Sequence, residues 1–208
     1  MKTLVAYKTN FKLTADLVTA FSESINKHIK NWQSETLDIN EFLKKGIPEY
    51  ADAILTHGIL RGTGHLLKDA AKNNIDRYFI DHAYFNPGYK NEFWLRVSKN
   101  KHIINYVKEV SEFRWNRFFS PSNHLLPWKN YTQRGNNLLI IPPTSAISWY
   151  FNEYEWENKI LSFLKDNLSK EIFKKVKIRN KPSEPIVDKN GKYLGLKENT
   201  KIKNIPLE

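Results

Sequence analysis

The sequence predicts an α/β fold, a Rossmann-like parallel sheet followed by a partial second α/β unit. Three observations carry that prediction. Short apolar runs of strand length alternate with amphipathic stretches along the first eighty residues. Each run ends in polar or glycine-containing residues, as buried parallel strands do. A second series of the same kind opens at Leu138 and stops before completing. Alternating strand and helix imply right-handed crossovers and a parallel sheet.

Leu4-Val5-Ala6-Tyr7 is the first buried strand. A helix starts near Thr14, with Leu17, Val18, Phe21, Ile25 and Ile29 at helical spacing. Residues 35–39 alternate and form a second strand, and 40–45 form a short helix closed by Gly46. Residues 53–56 are a third strand, ending at His57-Gly58. Arg61-Gly62-Thr63-Gly64 leads into a helix over 65–72. A fourth strand over 77–80 ends at Asp81-His82, and 93–97 are a further strand.

From 101 to 131 the chain is aromatic and irregular, with loops limited by Pro121 and Pro127. A turn at Gly135-Asn136-Asn137 launches a strand over 138–141, cut off by Pro142-Pro143. A helix over 153–167 gathers Trp156, Ile160, Phe163 and Leu164 on one face, which is the expected docking surface. Residues 175–179 form a strand. Beyond Pro182 the apolar signal fades, and Asp188-Lys189-Asn190-Gly191 is a turn. The domain boundary falls between 134 and 135.

Composition narrows the classes. Hydrophobic residues make up 40% of 208, enough for a real core. With no cysteine, disulfides, thiolate metal sites and a cysteine nucleophile are excluded. The first apolar run ends at Lys8, too short for a signal peptide, and no run reaches membrane-spanning length. A cytoplasmic protein is expected. The net charge of +11 favours anionic partners, or reflects only a Lys- and Asn-rich proteome. Eleven Lys/Arg against four Asp/Glu concentrate that charge between Ser169 and Asn204.

In parallel α/β sheets, ligands bind beyond the carboxyl ends of the strands. Three places qualify. His57-Gly58 with Arg61-Gly62 offers close backbone approach, a helix N-terminus and a cation, or simply a tight turn. Asp81-His82, followed by Tyr84, offers a base or a polar clamp, or a pair that only fixes the loop. Arg179, Lys181 and Ser183 offer diphosphate contacts, or a solvated basic loop. No histidine spacing suits a metal, and the dinucleotide, P-loop and serine-hydrolase motifs are absent. The aromatics from Phe113 to Trp128 could stack on bases, but such density is more typical of a core.

Four runs carry a family likeness. They are Tyr78-Phe79-Ile80-Asp81-His82-Ala83-Tyr84-Phe85, residues 93–100 with Arg96, Leu138-Leu139-Ile140-Ile141-Pro142-Pro143-Thr144, and Ile178-Arg179-Asn180-Lys181-Pro182-Ser183. Their order resembles phage-associated proteins of two-domain, GT-B glycosyltransferase-like architecture, distantly similar to capsule-polysaccharide and glycerophosphate transferases. The resemblance implies a location in the host cytoplasm if the protein is viral. It implies that the N-terminal domain holds the acceptor, with His57, Asp81 and His82 lining it and Arg96 among the binding residues. It implies that Arg179 and Lys181 meet the phosphates of a nucleotide-sugar donor, which is a substrate rather than a cofactor. Asp81 or His82 is the expected base, with positive charge from Arg61, Arg179 and Lys181, and no metal is required. The sequence departs from the family after Gly195, where no donor loop is recognisable. The expectation is therefore a split enzyme completed by a partner chain or a second copy, or a degenerate relative. The acceptor would be a polymer such as modified DNA or a glycan. The alternative is a non-catalytic nucleic-acid- or nucleotide-binding protein on the same fold.

Overall fold

The computed structural model describes residues 1–82, 95–102, 137–198 and 203–204. Tyr84, Phe93-Trp94 and the aromatic stretch after 102 lie outside the described residues. The chain divides into two compact units, Met1–Trp128 and Lys129–Glu208.

The first unit is a five-stranded sheet. In chain order it contains β1 (Lys2–Lys8), α1 (Lys12–His28), β2 (Trp32–Asp38), α2 (Ile39–Lys45), β3 (Ala53–His57), α3 (Thr63–Lys72), β4 (Asp76–His82) and β5 (Leu95–Lys99). The strands lie in the order β2-β1-β3-β4-β5. The first four are parallel, and β5 joins the edge antiparallel to β4. The predicted α/β class with a largely parallel sheet is therefore what the chain forms.

Burial explains the arrangement. Val5, Ala6, Ala53 and Ile54 are fully enclosed, so β1 and β3 are covered on both faces. Strand side chains alternate between faces. Leu4, Ala6, Ala53, Leu55 and Ile80 pack with Val18 of α1. The intervening residues point the other way, where the Tyr7 ring meets Phe42 of α2 edge-on at 6.2 Å. Because β1 lies between β2 and β3, the chain reverses direction across the sheet at β1, and the crevice at the carboxyl ends of β1 and β3 is the topological switch point.

Several boundaries differ from the sequence reading. The second strand starts at Trp32 and stops at Asp38, whose Oδ1 accepts from the Asn40 N–H at 2.9 Å and caps α2. Ile39 thus heads a helix. The first helix starts at Lys12, and Thr14 lies inside its first turn, donating to the Phe11 carbonyl at 2.9 Å.

The second unit contains β6 (Leu138–Ile140), α4 (Ser145–Phe151), α5 (Trp156–Asn167), α6 (Lys170–Phe173), β7 (Val176–Ile178), β8 (Ser183–Val187), β9 (Tyr193–Glu198) and β10 (Lys203–Asn204). Strands β6 and β7 are parallel, and β10 pairs antiparallel with β7. Ile140, Val176 and Ile178 are buried against Trp156, Ile160, Leu161 and Leu164. This corrects the expectation of a docking surface on that helix: three of the four named residues pack, partly buried, against β6 and β7 of the same unit, and Phe163 is the exposed one at 60%. Helix α4 falls between the predicted strand over 138–141 and the predicted helix over 153–167. Thr144 supplies its cap, accepting from the Ile147 N–H at 3.4 Å.

The chain after Pro182, where the apolar signal fades, forms the hairpin β8–β9 around the predicted turn at 188–191. Asp188 Oδ1 accepts from the N–H groups of Asn190 and Lys192, both at 2.8 Å, and fixes that turn. The hairpin rests on α4. Ser145 Oγ donates to the Pro185 carbonyl at 3.0 Å and accepts from the Val187 N–H at 3.1 Å. Gly191, at φ +80°, lies against the Trp149 indole so closely that a Cβ would come within 2.2 Å of the ring. Among the described residues no helix is long and apolar enough to cross a membrane.

That contact generates a prediction. Gly191→Ala introduces both a left-handed alanine and a steric overlap with a buried ring, and should destabilise the second unit by roughly 2–4 kcal/mol. Thermal denaturation, followed with the Trp149 indole N–H resonance, checks it. A variant that melts with the wild type and keeps that resonance unshifted would refute the packing.

Candidate functional site

The carboxyl ends of β1, β3 and β4 place the sequence-predicted residues in two groups. His57 ends β3 and His82 ends β4. Both follow residues that face α1, and their rings meet edge-to-face with centroids 5.8 Å apart. Lys8 ends β1 in the same alternation as Leu4 and Ala6, so it points to this face too. Burial is the largest influence on His57 and pushes its pKa below the ordinary value, together with the charges of His82 and Arg61 and against the pull of Asp81. His57 is therefore a neutral imidazole at physiological pH, able to accept a proton.

Asp81 belongs elsewhere, which corrects its assignment as the base facing the same cleft as His57. One residue before His82 on the strand, it points to the opposite face. There Oδ2 meets Arg96 at 3.3 Å and the His102 Nε2 at 2.9 Å, while Oδ1 accepts from the His82 N–H at 2.8 Å. His102 in turn packs edge-on against Phe79 at 5.7 Å. Burial works to raise the Asp81 carboxyl. The hydrogen bonds from His102 and the His82 amide, with the charges of His102 and Arg96, outweigh it and hold the group at about 2. A carboxylate so engaged is a poor proton acceptor. Arg96 is committed to the same cluster, half-enclosed between β4 and β5 and directly opposite Asp81 in register, so it holds the sheet edge rather than a ligand.

The glycine-rich loop divides likewise. The Gly58 N–H donates to the Ile80 carbonyl at 3.0 Å, so that amide extends the ladder and is not offered to a ligand. Gly62 caps α3 at φ +93° and lets α2 come close, since a Cβ there would meet Ile39 Cγ1 at 3.2 Å. Arg61, between them, is exposed and carries its guanidinium over the Phe11 ring, 4.6 Å from the centroid.

In the second unit, Arg179 and Lys181 are exposed just beyond β7, and the Arg179 N–H donates to the Ile140 carbonyl at 2.9 Å. Ser183 is not in that loop: it opens β8 and is half-buried, so its predicted role as a loop donor is corrected. Among the described residues no group of three or more His, Cys, Asp or Glu is arranged to hold a metal.

Sequence reasoning passed over Lys8, Phe11 and His102. Lys8 and Phe11 lie beyond the first apolar run, where the strand-end rule that selected His57 also applies. His102 left no signal, because it reaches Asp81 across an antiparallel pairing twenty-one residues away.

No family model matches the chain, and no curated protein matches it. The site is read from its own chemistry.

The Asp81 cluster makes a sign-definite prediction. Its carboxyl is depressed, so its contribution to stability is present above the ordinary carboxylate value of 3.8 and is lost as pH falls towards 2. Asp81→Asn should cost about 2–3 kcal/mol at pH 7, since it strands Arg96 and His102. The variant should also lose the fall in stability that the wild type shows between those pH values. Urea unfolding at pH 7 and pH 3 measures both, and a parallel pH dependence in the two proteins would contradict the assignment.

Proposed function

We propose that the protein is glycosyltransferase-like and transfers a sugar from a nucleotide-sugar to a polymer acceptor, with the acceptor held at the carboxyl edge of the first sheet. The observation that carries this reading is the pair of imidazoles, His57 and His82, where two adjacent parallel strands end. In an inverting transfer, a base takes the acceptor hydroxyl proton as its oxygen attacks the anomeric carbon. The bond to the nucleoside diphosphate breaks, and that group leaves with the electron pair, stabilised by positive charge. His57 is the base in this scheme, with His82 against its ring. Asp81 serves the site by positioning, through its bond to the His82 amide. On the second unit, taken by itself, Arg179 and Lys181 are candidate phosphate contacts.

A second reading, a nucleotide- or nucleic-acid-binding protein without chemistry, draws on one observation. The cations beyond β7 are exposed, in the part of the chain that carries most of the net charge. The two readings part on turnover. His57→Gln should reduce transfer by about a hundredfold or more while the protein stays folded, the usual range for a lost general base. In the wild type, activity should fall as pH drops through the lowered His57 pKa, because the base must be neutral. Transfer assays with a panel of nucleotide-sugars, across pH 5–8 (about the range in which histidine titrates), measure both. Undiminished turnover in His57→Gln would remove His57 as the base. Absence of turnover with every donor, alongside retained nucleotide binding, would favour the binding protein.

A further inference from the structure

The carboxyl edge holds a second feature that the transfer chemistry does not use. Arg61 adopts φ +61°, between Gly58 at +66° and Gly62 at +93°. A left-handed arginine is disfavoured, and persists where surrounding structure enforces it. The enforcement is visible on both sides of the crevice. Phe11, which receives the guanidinium, is fixed by its backbone: its N–H donates to Thr9 Oγ1 at 3.4 Å, and its carbonyl accepts from Thr14 Oγ1 at 2.9 Å and from the Ala15 N–H at 3.0 Å. Thr9 and Thr14 are buried and bonded to each other at 3.2 Å. In the Arg61 loop, buried Thr63 donates its hydroxyl to the Leu60 carbonyl at 2.6 Å.

Both signs of charge stand at the carboxyl ends of the strands. Asp38 ends β2 beside Lys8 in register and caps α2, and Asp81 is paired with Arg96 and His102. Lys8, Lys12 and Arg61 make no ion pair among the described residues. A guanidinium held over a ring face can still present its N–H fork to two oxygens of one phosphate group. Lys12, next to Phe11 in the chain, adds a second positive charge, which favours a dianion over a monoanion.

We propose that Arg61, held by Phe11 at the switch point of the first sheet, is a subsite for the phosphate of a phosphate-ester ligand. The inference deepens the transferase reading and rests on it only for the name acceptor. The acceptor then carries phosphate near the hydroxyl presented to His57, and the subsite positions it.

The test uses the full chain with three phosphate probes: inorganic pyrophosphate, uridine 5′-monophosphate and glucose 1-phosphate, with glucuronate as the carboxylate control. Amide resonances of residues 9–12 and 60–63 should move on titration. Phe11→Leu should weaken phosphate binding about tenfold, and Arg61→Gly at least as much, as loss of a charge-assisted contact implies. Glycine relieves the left-handed backbone, so Arg61→Gly should melt no lower than the wild type, which separates lost binding from lost folding. The tightest of the three probes tells whether free pyrophosphate, a nucleotide or a sugar phosphate is preferred, and each supports the subsite. Unchanged affinity in both variants, resonance shifts confined to residues 174–198, glucuronate binding as tightly as glucose 1-phosphate, or no binding of any probe would each overturn it. Retained phosphate binding in a protein without transfer activity would sink the transferase reading alone. Transfer activity undiminished in Arg61→Gly, with phosphate binding unchanged, would sink the subsite alone.

Discussion

The complete enclosure of β1 and β3 between helices is the constraint on which the first unit depends. A parallel strand buried on both faces is mainly apolar, and its polar side chains are costly unless paired, as Thr56 is by donating to the Tyr7 carbonyl at 3.3 Å. Val5, Ala6, Ala53 and Ile54 obey it. Chemistry is thereby expelled to the first position where solvent returns, the carboxyl end. Lys8, His57 and His82 occupy that position on three neighbouring strands.

The antiparallel fifth strand adds a second constraint. By pairing Asp81 directly with Arg96, it draws a carboxylate that would otherwise face solvent into a fixed cluster with His102. The charge is satisfied in place, although Asp81 still pulls on His57 from the other face. His57 and His82 sit on the face opposite Asp81, and burial keeps His57 unprotonated. Two adjacent residues of one strand thus face opposite sides of the sheet, as the two-residue period of the strand requires.

In the second unit, packing follows a different economy of contacts. The three-residue strands β6 and β7 offer little surface, and their core is completed by the apolar side of α5. The hairpin β8–β9 does not extend that sheet. It leans on α4 through Ser145, whose hydroxyl stands in for backbone partners of Pro185 and Val187, and through the closure of Gly191 on Trp149. The Ser145 hydroxyl is donor and acceptor at once, so it pairs the Pro185 carbonyl and the Val187 N–H where a third strand would otherwise do so.

The sequence by itself determined the class of the first unit and the ends of its strands. Burial on two faces writes itself as an uninterrupted apolar run, and where the run stops is a local fact. His57, Asp81 and His82 were legible as strand-end residues for that reason. The face each one occupies was not. Alternation shows that Asp81 and His82 diverge, but only the position of α1 shows which of them shares a face with His57. The tertiary structure likewise decided that Arg96 and His102 close on Asp81, that Phe11 carries Arg61, and that Trp156, Ile160 and Leu164 face inward. Each of these joins residues distant in sequence, and no local pattern specifies such a pairing, because its energy exists only once the strands and helices have been brought together.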